Sequence, residues 1–210
     1  MLKYKAEHED MREAILAAAQ RLLVRYGYRK TTMDDLAREA KVGKGTIYLY
    51  FRSKEDVAIS VMEKFHTSLM DHLVQILNSS EPPVKRLREM LILRILLRFD
   101  RVSNYSQSLE ELFTDLRPAL LARRDYESSA EAALIKEALI AGETCNDFSL
   151  TDASATAESL ILATNSLLPY SLSATEMGER EELLAKANRL ITLLLNGVLS
   201  RENRVLDPVK

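Results

Sequence analysis

The stretch Thr31 to Lys54, TTMDDLAREAKVGKGTIYLYFRSK, constrains this chain more than any other. Thr32 precedes a short pattern with Leu36, Ala37 and Ala40 on one face, and its hydroxyl can cap a helix whose first turn holds Asp34 and Asp35. That helix is expected to stop near Lys41, because Val42-Gly43-Lys44-Gly45 places two glycines where a tight interhelical turn needs permissive backbone. A second short helix is predicted from Thr46 to Phe51. Ile47 and Phe51, four apart, face inward and leave Thr46, Tyr48, Leu49 and Tyr50 on the sides and front. The pattern is a helix-turn-helix, and the remaining chain makes sense as its carrier.

An exposed short helix with polar-tipped aromatics, entered by Lys44 through a glycine turn, suits the major groove of DNA. Its N-terminal amides and Lys44 can meet phosphates, while Tyr and Thr hydroxyls reach phosphates or base edges and a ring packs on a thymine methyl. An ordinary helical hairpin with surface tyrosines has the same spacing, so spacing alone leaves both readings open. Charge is unevenly placed. Residues 21–54 hold nine Lys or Arg against three acids, a local +6, whereas the whole chain is −2. The basic footprint therefore coincides with the motif, as phosphate neutralisation requires.

Thr31-Thr32-Met33-Asp34-Asp35-Leu36-Ala37, then Val42-Gly43-Lys44-Gly45-Thr46-Ile47-Tyr48-Leu49-Tyr50-Phe51, then Ser53-Lys54-Glu55-Asp56, closely resembles the N-terminal domain of the TetR family of bacterial transcriptional regulators. The resemblance covers about residues 10 to 57. Tyr50 stands where that family more often has His, a variation that bears on base preference. The resemblance implies a DNA-binding set of Thr32, Gly43, Lys44, Gly45, Thr46, Tyr48, Leu49, Tyr50 and Lys54.

The rest of the chain reads as helical throughout. With 210 residues, 47% of them hydrophobic, it can bury a sizeable core, and six glycines and five prolines are few. No apolar run of about 18 or more residues is present to span a membrane. The N-terminus is acidic where a signal peptide wants an apolar core, so a cytoplasmic location is expected. One cysteine, Cys145, suits a reducing compartment and reads as a small residue in a helix-terminal turn.

In chain order, residues 1–9 read as a polar tail. An amphipathic helix from Asp10 carries Met11, Ile15, Ala18, Leu22 and Tyr26 and ends at Gly27; its stripe is expected to pack on Leu36, Ala40, Ile47 and Phe51. Ser53 caps a long helix whose seam is Val57, Val61, Phe65, Leu69, Leu73 and Leu77. The segment 78–83, NSSEPP, is the clearest break. Helical patterns follow over 84–101, over a short stretch around Leu109 to Leu116, over 120–141 ended by Gly142, over 153–168 and over 179–200. The expected fold is all-α: a three-helix DNA-binding head, residues 1–53, joined by a long helix to a helical ligand-binding and dimerisation domain, residues 54–210.

The last helix has a wide apolar band, suited to its own core and to a second subunit. In the family resembled, the last two helices form an intermolecular four-helix bundle, which here implies an interface of Leu160, Thr164, Leu183, Ala187, Leu190, Ile191 and Leu194. The resemblance further implies a homodimer that reads a palindromic double-stranded operator, and a small-molecule ligand among the middle helices that releases the protein from DNA, as a repressor. His66, Met70, Arg94, Arg98, Tyr105, Phe113 and Asn165 are the pocket candidates, against duller readings in which Arg94 and Arg98 are solvated and Phe113 is core. A second reading is a DNA-binding dimer controlled by a protein partner, with no small molecule. Enzymatic chemistry is not expected. Glu63-x-x-His66 is a lone Glu-x-x-His, and the chain has no HExxH, P-loop, GxSxG or Cys/His cluster, so neither a metal nor a cofactor is predicted.

Overall fold

A computed structural model describes residues 2–104, 111–112, 114–168 and 178–198. Its elements are helices: α1 Leu2–Tyr26, α2 Met33–Ala40, α3 Lys44–Tyr50, α4 Lys54–Leu77, α5 Pro83–Asn104, α6 Arg117–Thr144, α7 Ala153–Asn165 and α8 Arg180–Val198. The all-α architecture is thus observed. The chain divides into two compact units, one of Met1–Ser68 with Arg101–Tyr126 and the other of Leu69–Asp100 with Glu127–Lys210.

In the first unit, local chemistry sets the helix ends. The Thr32 hydroxyl accepts the Asp35 N–H at 3.1 Å while the Asp35 carboxylate accepts the Thr32 N–H at 3.1 Å, a reciprocal cap that starts α2. The residue that turns the chain after α2 is Lys41, at φ 57°, and not a glycine. Gly43 is extended, at φ −69°, and caps α3 through its backbone. Gly27 takes the left-handed conformation after α1, at φ 84°, as expected. Ser53 caps α4 by accepting the Asp56 N–H at 3.2 Å, and Asp56 returns a bond from the Arg52 N–H at 2.9 Å.

Two sequence expectations change here. The residues expected to be a polar tail belong to α1, whose helix begins at Leu2. The buried face of α1 is also broader than the expected stripe: Ile15, Leu16, Ala18, Ala19, Leu22 and Leu23 are buried, whereas Tyr26 is exposed. They pack with Leu36, Ala37, Ile47, Phe51, Val57 and Val61, and Leu112 and Leu116 complete the same core. Two residues from well beyond the helix-turn-helix thus help to hold it.

The second unit is built round Leu73, Leu87, Met90, Leu91, Ile95, Ile135, Leu139, Leu183 and Ile191, all buried. Gly142 does not end α6, which continues to Thr144. It admits the Phe148 ring instead, since a Cβ there would lie 2.2 Å from Phe148 Cδ2. Cys145 is exposed in the turn that follows. Asp152 caps α7 by accepting the N–H groups of Ser154 and Ala155 at 2.7 and 3.1 Å. No helix among the described residues is long and apolar enough to cross a membrane.

Candidate nucleic-acid interface

The short helix α3 presents its side chains as its sequence pattern requires. Ile47 and Phe51 are buried in the head core, whereas Leu49 is 80% exposed and Tyr48 is 49% exposed. Lys44 and Gly45 are exposed at its start, Thr46 and Tyr50 are half-buried, and Thr32 is exposed at the start of α2. Leu49, Tyr48 and Lys44 thus share the exposed surface of one small helix.

Lys44 Nζ lies 2.9 Å from Asp34 Oδ1, a pairing across the interhelical turn that sequence spacing did not indicate. Both groups are exposed, and the hydrogen bond and charge of Asp34 raise the Lys44 pKa. Lys44 therefore enters any complex fully charged, held by a carboxylate that a phosphate can replace.

Lys54 reaches back to the loop before the helix-turn-helix. Its Nζ donates to the carbonyls of Tyr28 at 3.1 Å and Arg29 at 3.4 Å and lies 4.3 Å above the Tyr28 ring. It ties the loop that enters the helix-turn-helix to the start of α4. Burial, with the charges of Glu55 and Asp115 adding to it, pushes the Tyr28 hydroxyl up to about 12.

The same loop has a second anchor. Arg29 forms a bidentate pair with Asp115, at 3.0 and 2.8 Å, and the Arg29 N–H donates to Glu111 at 2.7 Å. The hydrogen bond and charge of Arg29 hold the Asp115 carboxyl below the usual range. These partners are more than 80 residues apart, and nothing in local pattern joins them.

This geometry can be set beside that of known proteins. Residues 15–61 match the family model for bacterial regulatory proteins of the tetR family. The chain is 32% identical over 77 residues to the transcriptional repressor NemR of Escherichia coli, covering 37% of this chain and 39% of NemR. It is 30% identical over 143 residues to the transcriptional regulator AcuR of Cereibacter sphaeroides, covering 64% of this chain and 65% of AcuR. In both cases the match spans less than two thirds of the relative. A transcriptional regulator from Cytophaga hutchinsonii superposes with a TM-score of 0.76 at 25% identity, over 90% of this chain and 98% of that one. Residues 15–61 carry the N-terminal domain of the TetR family. The segment that carries the family match contains α2 and α3 whole, and the structural likeness extends well beyond it.

Three of the pocket candidates meet in the second unit. Arg94 is buried in the second unit, which overturns the solvated reading for it. Its Nε donates to Glu131 at 2.8 Å, one Nη donates to Thr164 and the other to Asn165 at 2.8 Å. Arg98, mostly buried, also pairs with Glu131. Burial drives the Glu131 carboxyl upward, but the charges and hydrogen bonds of Arg98 and Arg94 outweigh it and hold the group below its ordinary value. Arg94, Arg98 and Asn165 are therefore brought together, around a glutamate that sequence reasoning did not single out. His66 and Met70 are half-buried on α4, and Tyr105 and Phe113 lie outside the described residues.

The expected interface residues divide into two groups. Leu160, Thr164, Leu183, Ala187 and Ile191 are buried inside the single protomer, so their surface is already used. A 3.6-residue period puts them on the inner face of α7 and α8, which the breadth of the apolar band concealed. Leu190 and Leu194 are half-buried, and the open positions are Leu162, 74% exposed, and Leu193, 72% exposed. Leu193 lines a shallow surface groove with Asn188, Arg189, Thr192 and Asn196.

Proposed function

We propose that this protein is a sequence-specific DNA-binding transcriptional regulator that inserts α3 into the major groove. The observation that carries the reading is the outward face of α3, where Lys44, Thr46, Tyr48 and Leu49 stand over an inward face locked by Ile47 and Phe51. Thr32, Gly43, Gly45, Tyr50 and Lys54 complete the contact set, and Lys54 also holds the entry loop. Residues 1–53 serve as the DNA-binding domain and residues 54–210 as the ligand-binding and dimerisation domain.

The reading extends to a homodimer on a palindromic operator in the cytoplasm, with recognition helices separated by about 34–36 Å or somewhat more. It acts as a repressor, and a small molecule bound in the helical domain releases it. The similar protein NemR is named a transcriptional repressor, which supports that sign of regulation. A ligand that prefers one arrangement of α4 changes the spacing of the heads, because α4 runs from the helix-turn-helix into the second part of the chain. The mutual pairing of Arg94, Glu131 and Asn165 favours a scaffold role for these residues over direct ligand contact.

Titration, at fixed salt, of the duplex that the unmodified protein enriches from a random pool tests the assignment of α3. Lys44→Ala and Tyr48→Ala are expected to weaken binding severalfold with unchanged circular dichroism, because each removes an exposed group that makes no core contact. Unchanged affinity in both variants rules out α3 as the contacting helix.

A further inference from the structure

The first turns of α1 reach the far end of the recognition helix. The His8 ring lies 4.4 Å from the Tyr50 ring, centroid to centroid, with the planes tilted by 36°. One helical turn further on, the Arg12 guanidinium lies 5.3 Å over the ring of Phe51, and its Nη2 donates to Ser60 at 3.4 Å. His8 and Arg12 are four residues apart, so they share a face of α1, and they grip adjacent residues at the end of α3.

The two grips differ in consequence. Phe51 is buried and is held by the whole head core, so Arg12 adds to a ring already fixed. Tyr50 is half-buried and packs against that core with part of its surface. His8 covers another part, and a ring held from two sides has fewer positions for its hydroxyl than a ring held from one. His8 itself is exposed, so the contact can contribute little to the burial that stabilises the head.

We infer that His8 is a positioning residue for DNA recognition: it stacks on Tyr50 and fixes where the tyrosine hydroxyl meets the operator. The inference rests on the assignment of α3 to the major groove. The flat imidazole supplies the contact, its ring lying within stacking distance of the Tyr50 ring. The N-terminal turns of α1 are then part of the reading head, and the ordering of Tyr50 before binding lowers the cost of ordering it on DNA.

A double-mutant cycle on the full-length protein tests this, with the duplex enriched from a random pool by the unmodified protein as the probe. His8→Ala is expected to weaken binding about three- to tenfold, with the melting temperature little changed. His8→Phe restores most of the affinity, because it keeps a flat ring. In the Tyr50→Ala background, His8→Ala has no further effect. An equal loss in both backgrounds, or rescue by His8→Lys but not by His8→Phe, overturns the inference in favour of a direct phosphate contact. A second readout needs no DNA: the His8 ring protons are expected to carry an upfield ring-current shift that Tyr50→Ala abolishes, and its absence also overturns the inference. Lys44→Ala separates the two levels of the argument. If Lys44→Ala loses binding and His8→Ala does not, only the role of His8 fails; if neither loses binding, or the pool yields no enriched duplex, the assignment of α3 fails and the role of His8 with it.

Discussion

At Gly43 and Gly45, nothing in the protein itself asks for glycine. Gly43 has an extended backbone that any residue adopts, and a Cβ on it would meet only Thr46 Oγ1, at 3.8 Å. Gly45 lies in α3, where a Cβ would meet nothing within 4 Å. Helical glycine costs about 0.5–1 kcal/mol relative to alanine, so the choice at Gly45 works against stability. The proposed docking of α3 on DNA accounts for it, through close approach of a phosphate backbone. Gly45→Ala is therefore expected to raise stability by up to about 1 kcal/mol in urea melts while weakening DNA binding. A variant that gains stability and keeps full affinity would show that α3 leaves room for a methyl group against DNA. The Thr32 cap and the positions of Ile47 and Phe51 were legible in the sequence, because both depend on neighbours within four residues. The left-handed turn residue was not, because the glycine pattern pointed to Gly43 while the chain turns at Lys41.

At the scale of elements, long-range pairing decides what local pattern cannot. Arg94, on the amphipathic α5, reads as a solvated residue from its neighbours, yet its partner Glu131 stands 37 positions away on α6. Thr164 and Asn165 on α7 accept further hydrogen bonds from Arg94, so one buried cluster joins three helices. Removing one partner of a buried ion pair leaves an uncompensated charge and costs about 3–5 kcal/mol. Glu131→Gln should lose stability in that range at neutral pH. The folded-state pKa of Glu131 is lowered from an ordinary 4.5, so its contribution is present above that value and is lost as pH falls through the folded value. Urea melts between about pH 5 and pH 3 should accordingly show a smaller fall in stability for Glu131→Gln than for the unmodified protein. Parallel curves would contradict the charged, stabilising state assigned to Glu131. The same limit on local reading applies to Leu112 and Leu116, which join the head core from outside the helix-turn-helix, and to Gly142, whose role is to seat Phe148.

For the whole molecule, the family and the all-α fold were legible because the recognition motif is compact and specific, and helical periodicity runs through most of the chain. The proposed dimer interface was harder to place, since a wide apolar band does not say which of its sides the chain's own core consumes. Leu183, Ala187 and Ile191 are consumed, and Leu162 and Leu193 remain outside. The double substitution Leu162→Glu, Leu193→Glu is thus expected to give folded monomers in sedimentation experiments, because exposed positions accept charge without disturbing a core. A stable dimer in that variant would place the interface elsewhere. The central claim, a dimeric head that reads a defined operator through α3, is tested most directly by selecting duplexes from a random pool on the purified protein at fixed salt. Tyr48→Ala serves as the control. Enrichment of a two-fold-symmetric sequence by the unmodified protein, lost in Tyr48→Ala, is the result expected. No enrichment, or enrichment of the same sequence by both proteins, would contradict it.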